Sequence, residues 1–279
     1  MEILGVLLGL GSMIMMGLSN AIAKTPIKRI GSELTVFYRG LFMVAILFVI
    51  LLFSKIVFSP FHILFTLLLS VIGYFALASY YKGFSVGNIG VISTVSNSSI
   101  VLTILLSVIF LHEKLNLGQI FSIALIILGV IFISMKSFSN GFKDLTKGLK
   151  YALITWILWG IMFAFMKIPA LVLGPIFTSL LIELGVFGMA GIWNKPKRFF
   201  PKKEDVPIFL LISTLAVFSV LCHYIGITVS SVSIVTPLTF AGAIVTTMYG
   251  RVIYKEKLSY HQYAAVLLVV MGIIFLVIS

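Results

Sequence analysis

Apolar runs of about bilayer length recur ten times along this chain of 279 residues, with only short interruptions. They fall at 3–24, 33–53, 62–81, 88–111, 117–135, 149–167, 174–193, 206–226, 231–253 and 260–278. About 20 apolar residues suffice for one transmembrane helix. In hydrocarbon the backbone must satisfy its own hydrogen bonds, so only helices or closed barrels can cross it. The runs are continuous rather than alternating every second residue, which selects helices. The expected fold class is an all-α membrane protein with ten transmembrane helices, a multi-pass integral protein of the cell membrane.

Composition narrows the alternatives. Only 10% of residues are charged, against about a quarter in soluble domains. The links between runs are too short for an extramembrane domain, so the net charge of +12 does not point to nucleic acid. Cys222 is the only cysteine, which excludes a disulfide scaffold. The first run is too long for a cleavable signal, and no basic stretch precedes it. Most interruptions carry turn chemistry or charge, such as Ser59–Pro60, Gly174–Pro175 and Asn194–Lys195–Pro196. The break at 226–231 carries no charge.

The chain also repeats itself. Glu113-Lys114-Leu115 and Glu256-Lys257-Leu258 stand 143 residues apart. The same offset aligns Gly17 with Gly160, Lys24 with Lys167, Gly31 with Gly174 and Tyr81 with Tyr224. It also aligns Gly83 with Gly226, Thr103 with Thr246, Gln119 with Gln262 and Gly129 with Gly272, without a gap. Each copy holds five runs, and the halves are expected at 1–140 and 141–279. An odd number of crossings makes the second copy enter the membrane from the opposite side. The expectation is two inverted five-helix repeats around a central cavity, an arrangement that recurs in secondary transporters.

Several motifs carry a family resemblance. Leu158-Trp159-Gly160 with Lys167 resembles the first-helix pattern of an EamA-type repeat. Phe37-Tyr38-Arg39 resembles the arginine near the start of its second helix. Leu111-His112-Glu113-Lys114-Leu115, with Gln119 and Gly129, is similar to its fourth-to-fifth helix junction, and Tyr254-Lys255-Glu256-Lys257-Leu258 repeats it. Thr236-Pro237 resembles the Ser-Pro or Thr-Pro of the late helix. The whole chain thus resembles two tandem EamA domains of the drug/metabolite transporter superfamily. That resemblance implies a central cavity and movement of small metabolites. This chain departs from internal symmetry at Thr94, which stands opposite Pro237, and at Arg39, which stands opposite Ile182.

Orientation has two readings. The loops after odd-numbered runs hold sixteen of the twenty lysines and arginines, so the positive-inside rule expects both termini outside. The resemblance implies both termini inside.

Ionisable groups within a run are costly unless paired or hydrated, and each marks a candidate site. Glu183 sits among leucine, isoleucine and valine near the middle of the seventh run. It is a candidate proton-coupling or cation-binding carboxylate, or else half of an ion pair joining two helices. Arg39 is the expected partner, because its repeat mate is residue 182. It can also hold a substrate carboxylate or phosphate bidentately, or snorkel to the interface. Lys24 and Lys167 end equivalent runs and are candidates for drawing an anionic substrate to opposite mouths, or are helix anchors. Ser93, Ser96, Asn97, Thr103 and Ser107 share one helical face, and Thr236, Thr239 and Thr246 stand near equivalent positions. Those stripes line a wet path or let helices pack closely. Tyr38, Trp159 and Tyr224 are candidate cavity aromatics or interfacial anchors, and Pro237 is a candidate hinge. His223 has the choice of proton relay or interfacial solvation. The fifth and tenth runs fit the lipid-facing periphery or a helix–helix contact.

The expected activity is secondary active transport of a small metabolite such as an amino acid, by alternating access, with protons as the candidate coupling ion. Exchange of anionic metabolites resembling sugar phosphates is the alternative. The expected partners are that solute and the bilayer, with the protein a monomer or loose dimer and no cofactor or metal. An embedded enzyme is disfavoured, because the eight acidic residues form no DDxxD-like pair and the four histidines no zinc spacing. No P-loop is present for ATP, and no repeated filter or charge ring marks a channel.

Overall fold

The computed structural model describes residues 2–86, 92, 95–134, 142–253 and 260–278. Ser93, Thr94 and the Tyr254–Leu258 motif lie outside the described residues. No strand occurs among those described. In the first half the helices are α1 (Glu2–Ile30), α2 (Ser32–Leu51), α3 (Pro60–Val86), α4 (Ser99–Phe110) and α5 (Leu117–Ser134). The second half has α6 (Phe142–Phe165), α7 (Lys167–Leu173), α8 (Pro175–Asn194), α9 (Val206–Val229), α10 (Val232–Phe240), α11 (Gly242–Ile253) and α12 (Tyr260–Ile278). Among the described residues, six segments are long and apolar enough to cross a membrane, and four shorter apolar helices fall on the remaining expected runs. The uncharged break is real: α9 ends at Val229, and Ser230 and Ser231 are extended before α10.

The packing maps onto itself when the halves are exchanged. α1 lies against α9, and its repeat mate α6 lies against α3. α4 packs on α6, while α10 and α11 pack on α1. α2 meets its own mate α8, and α5 meets its own mate α12. The fifth and tenth runs therefore form a helix–helix contact, and they also show apolar faces outward at Phe121, Leu128, Leu267 and Phe275. In a bilayer those faces meet lipid rather than water. The largest buried cluster joins Tyr74, Tyr81, Met162, Met166, Phe209 and Tyr224. A second cluster, with Ile126, Leu238 and Val269, lies between the α5–α12 pair and α10.

Backbone devices recur at the same offset. Gly31 and Gly174 start the second helix of each half with φ 90° and 84°, a region that favours glycine. Thr103 Oγ1 donates to the Gly160 carbonyl at 3.3 Å, and Thr246 Oγ1 donates to the Gly17 carbonyl at 2.9 Å. A Cβ on Gly17 would lie 2.5 Å from Val245, and one on Gly160 would lie 2.6 Å from Leu102. Residues 102 and 245 are repeat mates, so each glycine admits the equivalent helix of the other half at close range.

The late helix of each half breaks at one equivalent residue. Ser98 has φ −66° and ψ −4°, and Ala241 has φ −62° and ψ −7°. Only the second break has Pro237 four residues earlier. The expected hinge thus sits beside a break that its symmetry mate makes without proline.

Candidate functional site

A cavity of about 1000 Å3, its open end included, lies between the halves. Its walls come in repeat pairs. Met16 and Trp159, Asn20 and Phe163, Arg39 and Ile182 all line it, as do Leu77 and Val220, Tyr80 and His223, and Asn97 and Phe240. A space lined by mates from both copies lies on the relation between them, where substrate sites of inverted-repeat carriers sit. Asn97 and Phe240 immediately precede the two helix breaks, so the interruptions abut the cavity.

Arg39 on α2 and Glu183 on α8 both line the cavity and are both buried. The α2–α8 contact brings them together. No ion pair within 4 Å joins them among the described residues, although the charge of Arg39 acts on Glu183. Glu183 Oε2 is buried with no hydrogen-bond partner among those residues. The Arg39 backbone is fixed from α9, where Ser213 Oγ donates to its carbonyl at 3.0 Å.

The other candidates separate into groups. Asn97, Trp159, Tyr224 and Thr239 line the cavity. Ser96 and Thr236 are buried with hydroxyls that find no partner among the described residues, and neither lines the cavity. Of the two polar stripes, then, Asn97, Thr239 and Thr246 line the cavity, while Thr103 joins helices. Tyr38 is turned away from the cavity, donating its hydroxyl to the Arg198 carbonyl at 3.1 Å and packing on Phe209. Ser93 is outside the described residues.

Lys24 and Lys167 are not among the cavity-lining residues. Lys167 Nζ lies 3.1 Å from Glu113 Oε1 and donates to the Ser230 carbonyl at 2.9 Å. Glu113 also accepts from Val232 N at 2.7 Å, from Ser233 N at 2.9 Å and from Ser233 Oγ at 2.7 Å. Its carboxylate therefore caps the orphan donors at the start of α10, where an anion is favoured, and it also holds a lysine.

Sequence reasoning passed over part of the lining. Met16, Asn20, Phe163 and Phe240 carried no motif, although sliding the chain by 143 would have paired each with a mate. His223 lies deep in the fold rather than at the interface. Its Nδ1 is 3.0 Å from Thr239 Oγ1, and Nε2 is buried without a partner among the described residues. The aromatic residues of the second half form a continuous wall. Trp159 and Phe240 ring centroids are 6.1 Å apart, Phe163 and Phe240 5.1 Å, and Phe163 and His223 5.3 Å.

The model of the EamA-like transporter family matches the chain twice, at residues 3–135 and 146–278. No match was found among curated proteins. One crystal structure, described only as that of a protein, superposes with a TM-score of 0.79 at 15% identity, covering 97% of this chain and 95% of the other. At that identity the likeness concerns the fold alone.

Proposed function

The chain belongs to the EamA-like transporter family, and from that premise we propose that it carries a small metabolite, such as an amino acid, across the cell membrane by alternating access. The observation that carries this reading is the cavity lined by six repeat pairs. An inverted pair can close either end by exchanging the conformations of its halves, which gives two facing states of similar energy. The division into halves is placed at 1–140 and 141–279. One copy of the chain contains the whole cavity, so a monomer suffices, with the bilayer as its surroundings.

Glu183 is assigned the coupling role. A buried carboxylate is costly when charged and cheap when protonated, and one of its oxygens has no protein partner among the described residues. Proton uptake from one side and release to the other then accompanies the change of facing. The alternative, exchange of an anion resembling a sugar phosphate, would use Arg39 with Lys24 and Lys167. It is weakened by Lys167, whose ammonium is already held by Glu113. Lys24 and Lys167 are retained as candidates at the mouths only.

Reconstitution into proteoliposomes tests the reading by entrance counterflow against a mixed metabolite extract, with and without a pH gradient. Saturable exchange of an unaltered solute is expected. Glu183→Gln should abolish pH-driven accumulation while exchange continues. Flux that rises linearly with solute would indicate a channel, and a chemically altered solute would indicate an enzyme. Unchanged pH dependence in Glu183→Gln would leave that carboxylate structural.

A further inference from the structure

A second space lies on the other face of α3. The central cavity touches α3 at Gly73, Leu77 and Tyr80, whereas this cleft touches it at Tyr74, Phe75, Ala78, Ser79 and Lys82. At the helical period those two sets point in opposite directions, and the two spaces share no lining residue. The cleft measures about 660 Å3, its open end included, and is bounded by the start of α2, the end of α8 and Tyr151 of α6. It therefore sits at the helix ends, at the level of a membrane–water interface.

Its chemistry departs from the internal repeat. Glu33, Tyr74, Lys82, Tyr151, Trp193 and Asn194 line it with charged or hydrogen-bonding groups. Their mates at the offset of 143 are Ile176, Val217, Ile225, Leu8, Ile50 and Leu51. The one change in the other direction is Val36 against Ser179, whose hydroxyl returns to the Pro175 carbonyl of its own helix at 2.7 Å. The equivalent place in the other half is filled, since Ile50, Leu51, Ile176, Val217 and Leu221 belong to one apolar cluster. The fold can close this place with apolar side chains, and in one copy it does not.

The polar groups are held in position. Tyr74 is buried and donates its hydroxyl to Asn194 Oδ1 at 3.1 Å, and Asn194 Nδ2 donates to the Glu33 carbonyl at 3.1 Å. Lys82 Nζ stands 3.8 Å from Glu33 Oε1, with both side chains partly exposed. An exposed pair of that kind holds little energy, so a ligand with one anion and one cation can replace it by two better contacts. Lys150, 5.0 Å over the Tyr151 ring, adds a second cation at the rim. The way out of the cleft is apolar. Phe61, Leu64 and Leu68 are exposed on the α3 face that continues through Phe75 and Ser79 to Lys82. Trp193, also exposed, sets its ring edge-on to Phe75 with centroids 5.4 Å apart. In a bilayer that stripe meets acyl chains, and the polar groups stand where lipid head groups begin.

We propose that this cleft binds an aminophospholipid, phosphatidylethanolamine, with its phosphodiester at Lys82, its ammonium at Glu33 and its acyl chains along the outer stripe of α3. The ammonium donates to the Glu33 carboxylate and the phosphodiester accepts from Lys82, both charge-assisted contacts. A choline head group has no N–H to donate, and a glycerol head group has no cation for Glu33. Because α2 and α3 belong to the first half and α6 and α8 to the second, the lipid touches both. The site is independent of what the central cavity carries.

The full chain, delipidated in detergent, is titrated with phosphatidylethanolamine, phosphatidylcholine and phosphatidylglycerol of identical acyl chains, and bound lipid is read by native mass spectrometry. Phosphatidylethanolamine should bind at least about tenfold more tightly than either of the others. Glu33→Gln should erase its advantage over phosphatidylcholine. Lys82→Ile, which copies the mate Ile225, should weaken all three lipids about tenfold. Lys55→Gln, which removes an exposed cation beyond the opposite end of α2, should change nothing. Glycerophosphoethanolamine, the same head group without acyl chains, should fail to compete at concentrations that saturate the lipid. Equal binding of the three lipids, an unaltered preference in both cleft variants, or the same weakening in Lys55→Gln would overturn the site. A soluble head group that competes as well as the lipid would overturn the lipid as its occupant. The comparison of head groups uses the unaltered chain, so it decides the matter even where a variant fails to fold.

Discussion

The two halves of this protein share their backbone devices and differ in the side chains they turn toward the cavity. Gly31 and Gly174 turn the chain alike, Ser98 and Ala241 break the late helices alike, and Thr103 and Thr246 reach the equivalent carbonyls. Packing of helices in lipid rewards small residues and hydrogen bonds between helices, and those rewards are the same in both copies. The cavity obeys another requirement. Its walls need not match across the repeat, and Arg39 faces a space to which its mate contributes Ile182.

The comparison breaks most strongly at Glu113. Its carboxylate holds Lys167 and three donors at the start of α10. Glu113→Ala leaves a largely buried lysine and those donors short of an acceptor. The expected loss is about 3–5 kcal/mol, visible as a large fall in the thermal midpoint in detergent. A midpoint within a degree of wild type would show that the cluster is not structural.

The paired glycines should give the next effect. Gly17→Ala and Gly160→Ala each force a Cβ into the opposing helix, at a cost of about 1–3 kcal/mol. Gly17→Ala should be the worse of the two. Its Cβ meets the Gly242 carbonyl as well as Val245, while the three atoms nearest that of Gly160 all belong to the Leu102 side chain. Equal losses, read by unfolding in mixed detergent, would mean that the backbone contact yields freely.

Thr103→Val and Thr246→Val sharpen the contrast between scaffold and site. Each removes one interhelical hydrogen bond and should cost about 1 kcal/mol. Thr246 also lines the cavity and Thr103 does not, so transport should fall in Thr246→Val alone. Equal transport defects would place both threonines in the scaffold.

Pro237→Ala is expected to do least. The break at Ser98 forms without a proline, so the break at Ala241 should persist. One restored backbone donor changes stability by about 1 kcal/mol, and exchange should continue. Loss of exchange in a folded Pro237→Ala protein would make the proline a hinge in its own right.

Much of this was legible in the sequence, for identifiable reasons. Ten apolar runs and one constant offset survive without coordinates, because length and register are properties of the chain. Arg39 and Glu183 stood out because charge is rare in such runs. The cavity wall was less legible. Asn20 and Phe163 look ordinary until the two halves are laid face to face, and Tyr38 beside Arg39 points away to the Arg198 carbonyl. His223 looked interfacial by its position in the run, yet the packing of α9 against α10 buries it beside Thr239. Side-chain direction on a helix depends on which neighbour that helix meets, and for Tyr38 that neighbour comes from the other copy.

The inversion itself is tested most directly with two equivalent exposed loop residues, Lys55 and Arg198, which stand at the repeat offset. In a background carrying Cys222→Ser, single Lys55→Cys and Arg198→Cys proteins are labelled in oriented vesicles with a membrane-impermeant thiol reagent. The expected result is that the reagent reaches one from outside only and the other from inside only. Labelling of both from the same side would contradict two inverted halves around a shared cavity.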